Sequence, residues 1–377
     1  MDQKKIKLVI SDFHLSRGPW LSDGRRNPLE DFHQDDSFYE FLDYYSSGEC
    51  TSADVELIIN GDFFDPLAVI PVPQAGEKLP PLDYPTEVEE DSAVLKFREI
   101  MNAHPITMKG LRLFLQRGKR IIFRWGNHDA ALLWPKVQAL ILQELSPQSP
   151  QQVTFQKEPY LFDRIFIDHG HQYEYLNQFD EKNIFIQRKT SKGIKTIQNL
   201  PFGSFFVLGF INRIKLERSY INQVQPFRLY LRFALLIEPL FFFINGIRVA
   251  WFFIKMRFIT HPMRFARLRK TFFLLLEVLH RPSLEKVAEG LLHSNESPPP
   301  PYDTVIMGHD HQAKMRIFPG GRQYINTGTW IPITGLDMST LGRKILRTYA
   351  LIEYKNNRAI ASLKIWNGHP HITDDFS

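Results

Sequence analysis

Ile121-Ile-Phe-Arg-Trp-Gly-Asn-His-Asp129 decides how this chain is read: an apolar run ends in a tight polar corner rich in cation-binding side chains. The same joint recurs along the sequence. Ile6-Lys-Leu-Val-Ile-Ser11 leads into Asp12-Phe13-His14, and Val55-Glu-Leu-Ile-Ile-Asn60 leads into Gly61-Asp62. Ile165-Phe-Ile-Asp168 leads into His169-Gly170-His171, and Thr304-Val-Ile-Met307 into Gly308-His309-Asp310-His311. A later Gly-Thr-rich turn carries Asn326 and Trp330. Short β-branched runs bounded by such corners have the pattern of buried strands. Open α/β sheets gather ligands outside the carboxyl ends of their strands, so these side chains are expected to converge on one rim.

Between the corners lie helical patterns. Phe38, Phe41, Leu42 and Tyr45 form a core-facing stripe. Ser92 is expected to cap a helix reaching Ala103, and Pro105 to open another that ends near Gly118. Residues 130–145 are expected to form a third, stopped by Ser146-Pro147. Residues 71–85 are Pro-rich and aperiodic, which predicts a loop. From 181 to 300 the rhythm changes to phenylalanine-heavy helical segments at 202–214, 227–240, 241–257 and 265–279. After the 297–301 proline run, short strands are expected near 314–318, 323–326, 348–354 and 359–366.

Composition narrows the class. At 377 residues the chain can bury a large core. Its one cysteine, Cys50, permits no internal disulfide, and residues 6–10 are too short for a secretory signal, so a cytoplasmic protein is expected. The net charge of +5 is unevenly spread: between Lys182 and Arg281 there are 18 Lys/Arg against three acids, an excess of about +15, leaving about −10 elsewhere. A basic block of that size suits an anionic partner, phospholipid headgroups or nucleic acid.

Asp12, His14, Asp62, Asn127, His169, His309 and His311 offer carboxylate, carboxamide and imidazole donors. Two cations roughly 3.5–4 Å apart, bridged by a carboxylate, suit in-line displacement at phosphorus, generating hydroxide near neutral pH and spreading phosphoryl charge. An oxygen and nitrogen set without thiolate fits manganese, iron or zinc. His128 can donate a proton to the leaving oxygen, with Asp129 holding its tautomer. His171 either supports a ligand or touches substrate.

The ordered blocks D-x-H, G-D, G-N-H-D, H-G-H and G-H-x-H resemble the calcineurin-like metallophosphoesterases, over residues 6–175 and 303–366. The resemblance implies an α/β fold: a layered β-sandwich flanked by helices, formed by residues 1–180 and 301–377, with 181–300 an inserted helical cap. It implies that Asp12, His14, Asp62 and His311 hold one divalent metal, and Asp62, Asn127, His169 and His309 the other, manganese first, with His128 the catalytic acid. The chain also resembles the UDP-2,3-diacylglucosamine pyrophosphohydrolase branch, where a helical cap holds acyl chains, although that branch has arginine where this chain has His128.

The expected activity is hydrolysis of a phosphoester or pyrophosphate bond, of a lipid-linked or membrane-associated substrate. The alternatives are a soluble nucleotide or nucleic-acid phosphodiesterase and a non-catalytic scaffold of the same fold. The triplets Phe241-Phe242-Phe243 and Trp251-Phe252-Phe253 cannot all face one side of a helix. With the flanking Arg228, Arg232, Arg248, Lys255 and Arg257 they suit an interfacial helix on the inner face of an anionic membrane. Burial in the core, a dimer contact and nucleic acid are the competing readings.

Overall fold

The computed structural model describes residues 3–72, 88–190, 193–225, 227–255, 283–293, 300–336 and 341–368. The expected helix at 265–279, most of the 71–85 loop and Arg257 lie outside these residues. Two sheets form the centre. The first has the order β16-β15-β1-β2-β3-β4. In it β1 (Lys5–Ile10), β2 (Asp54–Asn60), β3 (Arg120–Arg124) and β4 (Val153–Gln156) run parallel, while β15 (Thr348–Lys355) and β16 (Arg358–Ile365) close one side antiparallel. The second has the order β11-β12-β10-β6-β5. Its core strands β6 (Ile165–Ile167), β10 (Thr304–Met307) and β12 (Gln323–Asn326) are parallel, flanked by β5 (Tyr160–Phe162) and β11 (Lys314–Ile317).

Strand alternation stacks the layers, because successive side chains point to opposite faces. Val9, Ile58 and Ile122 face the second sheet and meet Ile165, Ile167, Ile306 and Ile325. Their neighbours Leu8, Ile10, Leu57, Ile59, Ile121 and Phe123 face a helical layer instead. That layer is α1 (Asp35–Ser46), α2 (Glu90–Ala103), α3 (Pro105–Gln116) and α4 (Pro135–Leu145). It contributes Phe38, Phe41, Phe97, Leu111, Phe114 and Ile141, each fully buried and worth roughly 1.5–3 kcal/mol. Beyond the second sheet, Leu284, Ala288 and Leu292 of one more helix (Leu284–Leu292) cover Val305, Met307 and Tyr324. The result is the expected layered sandwich of two sheets flanked by helices.

Two local expectations need correction. Ser92 is not a cap: α2 starts at Glu90, and the acids Glu90 and Asp91 fill its first turn, where the helix dipole favours them. Residues 130–145 are not one helix, since Ala130–Leu133 is a 3-10 turn and α4 restarts at Pro135. Proline disfavours helical geometry at the preceding residue, here Trp134, whose ψ is 128°.

The 181–300 stretch opens with a β-hairpin, β7 (Phe185–Thr190) and β8 (Gly193–Gln198), which the helical reading missed. The helical turns Phe202–Phe206, Val207–Ile211 and Asn212–Glu217 then follow. Phe202, Phe205, Leu208 and Phe252 belong to the same apolar core as Phe13 and Trp125, so this part of the stretch shares that core. Lys215 anchors it further, its Nζ 2.6 Å from the buried Asp31 carboxylate. A small third sheet joins β9 (Val224–Gln225), β13 (Ile333–Gly335) and β14 (Gly342–Lys344). Two further helices, Phe227–Ile237 and Pro239–Lys255, project apolar surface: Leu236 (78 %), Ile237 (75 %), Leu240 (73 %) and Ile247 (72 %) stand exposed. The second aromatic triplet is split, with Trp251 exposed and Phe252 buried. Among the described residues no helix is long and apolar enough to cross a membrane.

Candidate metal centre

Because β1, β2, β3, β6 and β10 carry the five blocks and run parallel within their sheets, the blocks gather at one rim. Their backbones are stitched together: Asp12 N–H donates to Gly61 O (3.1 Å), His14 N–H to Asp62 O (2.9 Å) and Gly308 N–H to His169 O (3.0 Å). The corners are strained. Asp12 (φ 58°), His14 (φ 53°), Asp62 (φ 51°), His309 (φ 73°) and His311 (φ 60°) all occupy the left-handed region. That conformation disfavours residues bearing a Cβ by roughly 1–2 kcal/mol each, and it is characteristic of ligand-binding corners. Gly126 is required by proximity, since a Cβ there would lie 2.2 Å from Asp62 Oδ1.

Among the described residues, three groups of side chains could each hold a cation: Asp12, His14 and His311; Asp62, His169 and His309; and His14, Asp65 and His128. Asp62 lies between the first two, its Oδ2 3.9 Å from His14 Nε2 and 3.3 Å from His169 Nε2. His14 Nε2 and His311 Nε2 face each other at 3.0 Å. Asp12 is fully buried, its Oδ1 3.5 Å from His311 Nε2, while both its oxygens accept the His309 N–H. His169 accepts its orientation from the chain, Nδ1 meeting Asn60 O at 2.7 Å and Nε2 turned toward Asp62. His309 Nε2 lies 2.8 Å from Glu174, a buried carboxylate that also receives the Asn177 amide. A carboxylate or carbonyl on the far nitrogen is how proteins orient metal-ligating histidines.

The residues fit a pair of divalent cations. Asn127 Oδ1 and His169 Nε2 are buried without a hydrogen-bond partner, each beside the Asp62 corner. The charges agree. Burial works against charge on His169, yet Asp62 and Asp12 outweigh it and lift the imidazole to about 10. Burial raises Asp12, whereas Asp62 is held well below the carboxylate range, despite its burial, by His169 and His128. Burial and the neighbouring His14 push His311 well down. Divalent cations would displace the imidazolium protons that balance these carboxylates, because metal ligands must be deprotonated.

His128 stands at the edge of the cluster, half-buried, its ring edge-on to His14 at 4.6 Å. Its Nδ1 is 3.0 Å from Asp65 Oδ2, which turns Nε2 the other way. Burial opposes its charge, but Asp65 and Asp62 prevail and hold it at about 9. The expectation for Asp129 is therefore corrected. Its carboxylate accepts the N–H groups of Gly126 (2.6 Å) and Phe63 (2.9 Å), pinning the β3 corner to the β2 corner. Asp65 is the residue the sequence reading missed; the signal was an acid three positions after Asp62 in Gly61-Asp-Phe-Phe-Asp65. Glu174 carried no such signal.

His171 is buried against Trp125 (4.6 Å between rings) behind His169, with neither nitrogen hydrogen-bonded, and burial and His169 push its pKa well down. Asn326 supports the last corner by donating to Gly308 O at 2.7 Å, and Trp330 stacks on Phe13 in the core. Neither reaches the cluster as a ligand.

No family model matches the chain, and no curated protein matches it. Among solved structures it is similar to the calcineurin-like phosphoesterase YfkN from Bacillus subtilis, at 10% identity and a TM-score of 0.34, covering 97% of this chain and 92% of that one. It is also similar to a dimetal phosphatase from Danio rerio, at 11% identity and a TM-score of 0.37, covering 97% and 98%. Likenesses this remote leave the chemistry to the residues themselves.

Proposed function

We propose that the chain is a two-metal phosphoesterase. The observation that carries this reading is Asp62, placed by the β2 corner between two donor sets. Asp12, His14 and His311 would hold one cation, and Asn127, His169 and His309 the other, with Asp62 shared. When bound, the cations would spread the charge of the phosphoryl oxygens and make water nucleophilic near neutral pH. Manganese, iron and zinc suit these donors, and manganese is the first to test. His128, protonated at neutral pH by its Asp65 partner, holds a proton for the leaving oxygen. A scaffold would have no need of that pair. Purified protein with manganese should hydrolyse bis-p-nitrophenyl phosphate or a pyrophosphate-linked substrate, and Asp62→Ala should abolish it. Turnover equal in the Asp62 variant would refute the assignment.

For the substrate, we favour a lipid-linked or membrane-associated phosphate. The support is the exposed apolar surface of Phe227–Ile237 and Pro239–Lys255 in a basic stretch. Arg232 and Arg248 lie exposed on those helices, Arg248 within 3.6 Å of Glu217, while Lys195 and Lys215 are engaged by Glu89 and Asp31. Flotation should require anionic vesicles, weaken with salt and fall on Trp251→Ser. Absence of flotation at low salt, with rapid turnover of a soluble nucleotide, would favour the soluble phosphodiesterase instead.

A further inference from the structure

Beneath the corners of the rim lies a buried charge that the proposed reaction does not use. Arg124, the last residue of β3, is only 1 % exposed. Strand alternation carries it inward: Ile122, two positions earlier, faces the second sheet, so Arg124 points the same way. Asn60, the last residue of β2, is its register partner and shares that face.

The guanidinium joins three segments. Its Nη2 lies 2.6 Å from Asp168 Oδ1, Nε donates to Asn60 Oδ1 at 3.1 Å, and Nη1 donates to Glu158 O. Asn60 Nδ2 donates in turn to Asp168 O at 2.9 Å, closing a ring between the two sheets. Both partners of Arg124 then reach His169. Asp168 Oδ1 accepts its backbone N–H at 2.9 Å, and Asn60 O meets its Nδ1 at 2.7 Å. A buried ion pair is a weak stabiliser, because well-packed apolar residues of similar volume often serve as well. A planar fork does something apolar residues cannot, fixing two acceptors in direction as well as distance.

We propose that Arg124 is a positioning residue for the cation assigned to Asn127, His169 and His309. Its fork sets Asn60 and Asp168, and these aim the His169 ring so that Nε2 turns toward Asp62. The inference rests on the two-cation reading of the site. Asp12, His14 and His311 stand on the β1 and β10 corners, outside the ring, so their cation should be held as before.

The test is manganese binding, which needs no turnover. Metal-free full chain is titrated with manganese, the free ion being read by its electron paramagnetic resonance signal. Wild type should bind two equivalents. Arg124→Lys keeps a charge beside Asp168 but lacks the fork, so one equivalent should bind about 10–100-fold more weakly and the other as in wild type. Asn60→Ala leaves the ion pair in place and should weaken the same equivalent; it carries the test if melting curves show Arg124→Lys unfolded. In a His169→Ala background one strong equivalent should remain, and Arg124→Lys should leave it unchanged, because residues that act through one another are not additive. Wild-type affinity for both equivalents in Arg124→Lys and Asn60→Ala, or weakening of the equivalent that remains without His169, overturns the proposal. Two equivalents bound by a wild type that hydrolyses no phosphoester, with one still weakened in Arg124→Lys, uphold it and remove the phosphoesterase reading. A wild type that binds no manganese overturns both.

Discussion

At the scale of single residues, the proposed site would separate groups that hold cations from a group that holds a proton. Asp12→Ala and Asn127→Ala should lower bound manganese as well as rate, read by elemental analysis. His128→Ala should keep the manganese and lose about 10²–10⁴ in kcat. Asp65→Asn tests the pair behind it. Asp65 raises His128, so an acid that must be protonated loses activity as pH rises through its pKa. Without the Asp65 charge that limb should move to lower pH, and a pH–rate profile with an unmoved limb would detach Asp65 from the acid. A second histidine offers a stability test away from the cluster. His104 is buried between Glu30 (3.2 Å) and Asp35 (3.0 Å); burial opposes its charge, but the two acids bring it to about 9. A raised pKa stabilises fully below the unfolded value of about 6.5 and loses that contribution as pH rises through 9. The melting temperature should therefore drop between pH 6.5 and 9.5, and His104→Gln should flatten the drop. A wild-type melting curve that does not respond to pH over this range would contradict the pairing.

At the scale of elements, legibility followed periodicity. β1, β2, β3, β6 and β10 were readable because their β-branched runs are buried on both faces. The hairpin Phe185–Thr190 and Gly193–Gln198 was not, because Gln187, Arg188, Lys189 and Lys195 leave no apolar alternation to read. The ligand blocks were legible because each is contiguous. Asp65's pairing with His128 was obscured by Asp129, which is adjacent in sequence but turned toward the backbone of Gly126 and Phe63. The anchorage of Asn212–Glu217 was invisible for a similar reason, since Lys215 and Asp31 are 184 positions apart. Removing one partner of a buried pair leaves an uncompensated charge and costs about 3 kcal/mol or more. Lys215→Met should lower the unfolding free energy read from a urea titration by that amount, with a lower midpoint, and adding Asp31→Asn should restore part of it. A Lys215→Met midpoint equal to wild type would show that Asn222 and Gln223, which also reach Asp31, suffice.

At the scale of the whole molecule, two sheets bring residues from positions 12 to 311 to one rim. The left-handed backbone of five residues in three of the corners, the shared position of Asp62 and the orphaned Asn127 and His169 atoms would all be accounted for by the two proposed cations. The most direct test is a titration of metal-free protein with manganese, following bis-p-nitrophenyl phosphate hydrolysis against bound metal per chain. Turnover that climbs until two equivalents are bound, and is absent throughout in Asp62→Ala, is the predicted result. Saturation of both sites with no turnover, or full activity at one equivalent, would contradict the account.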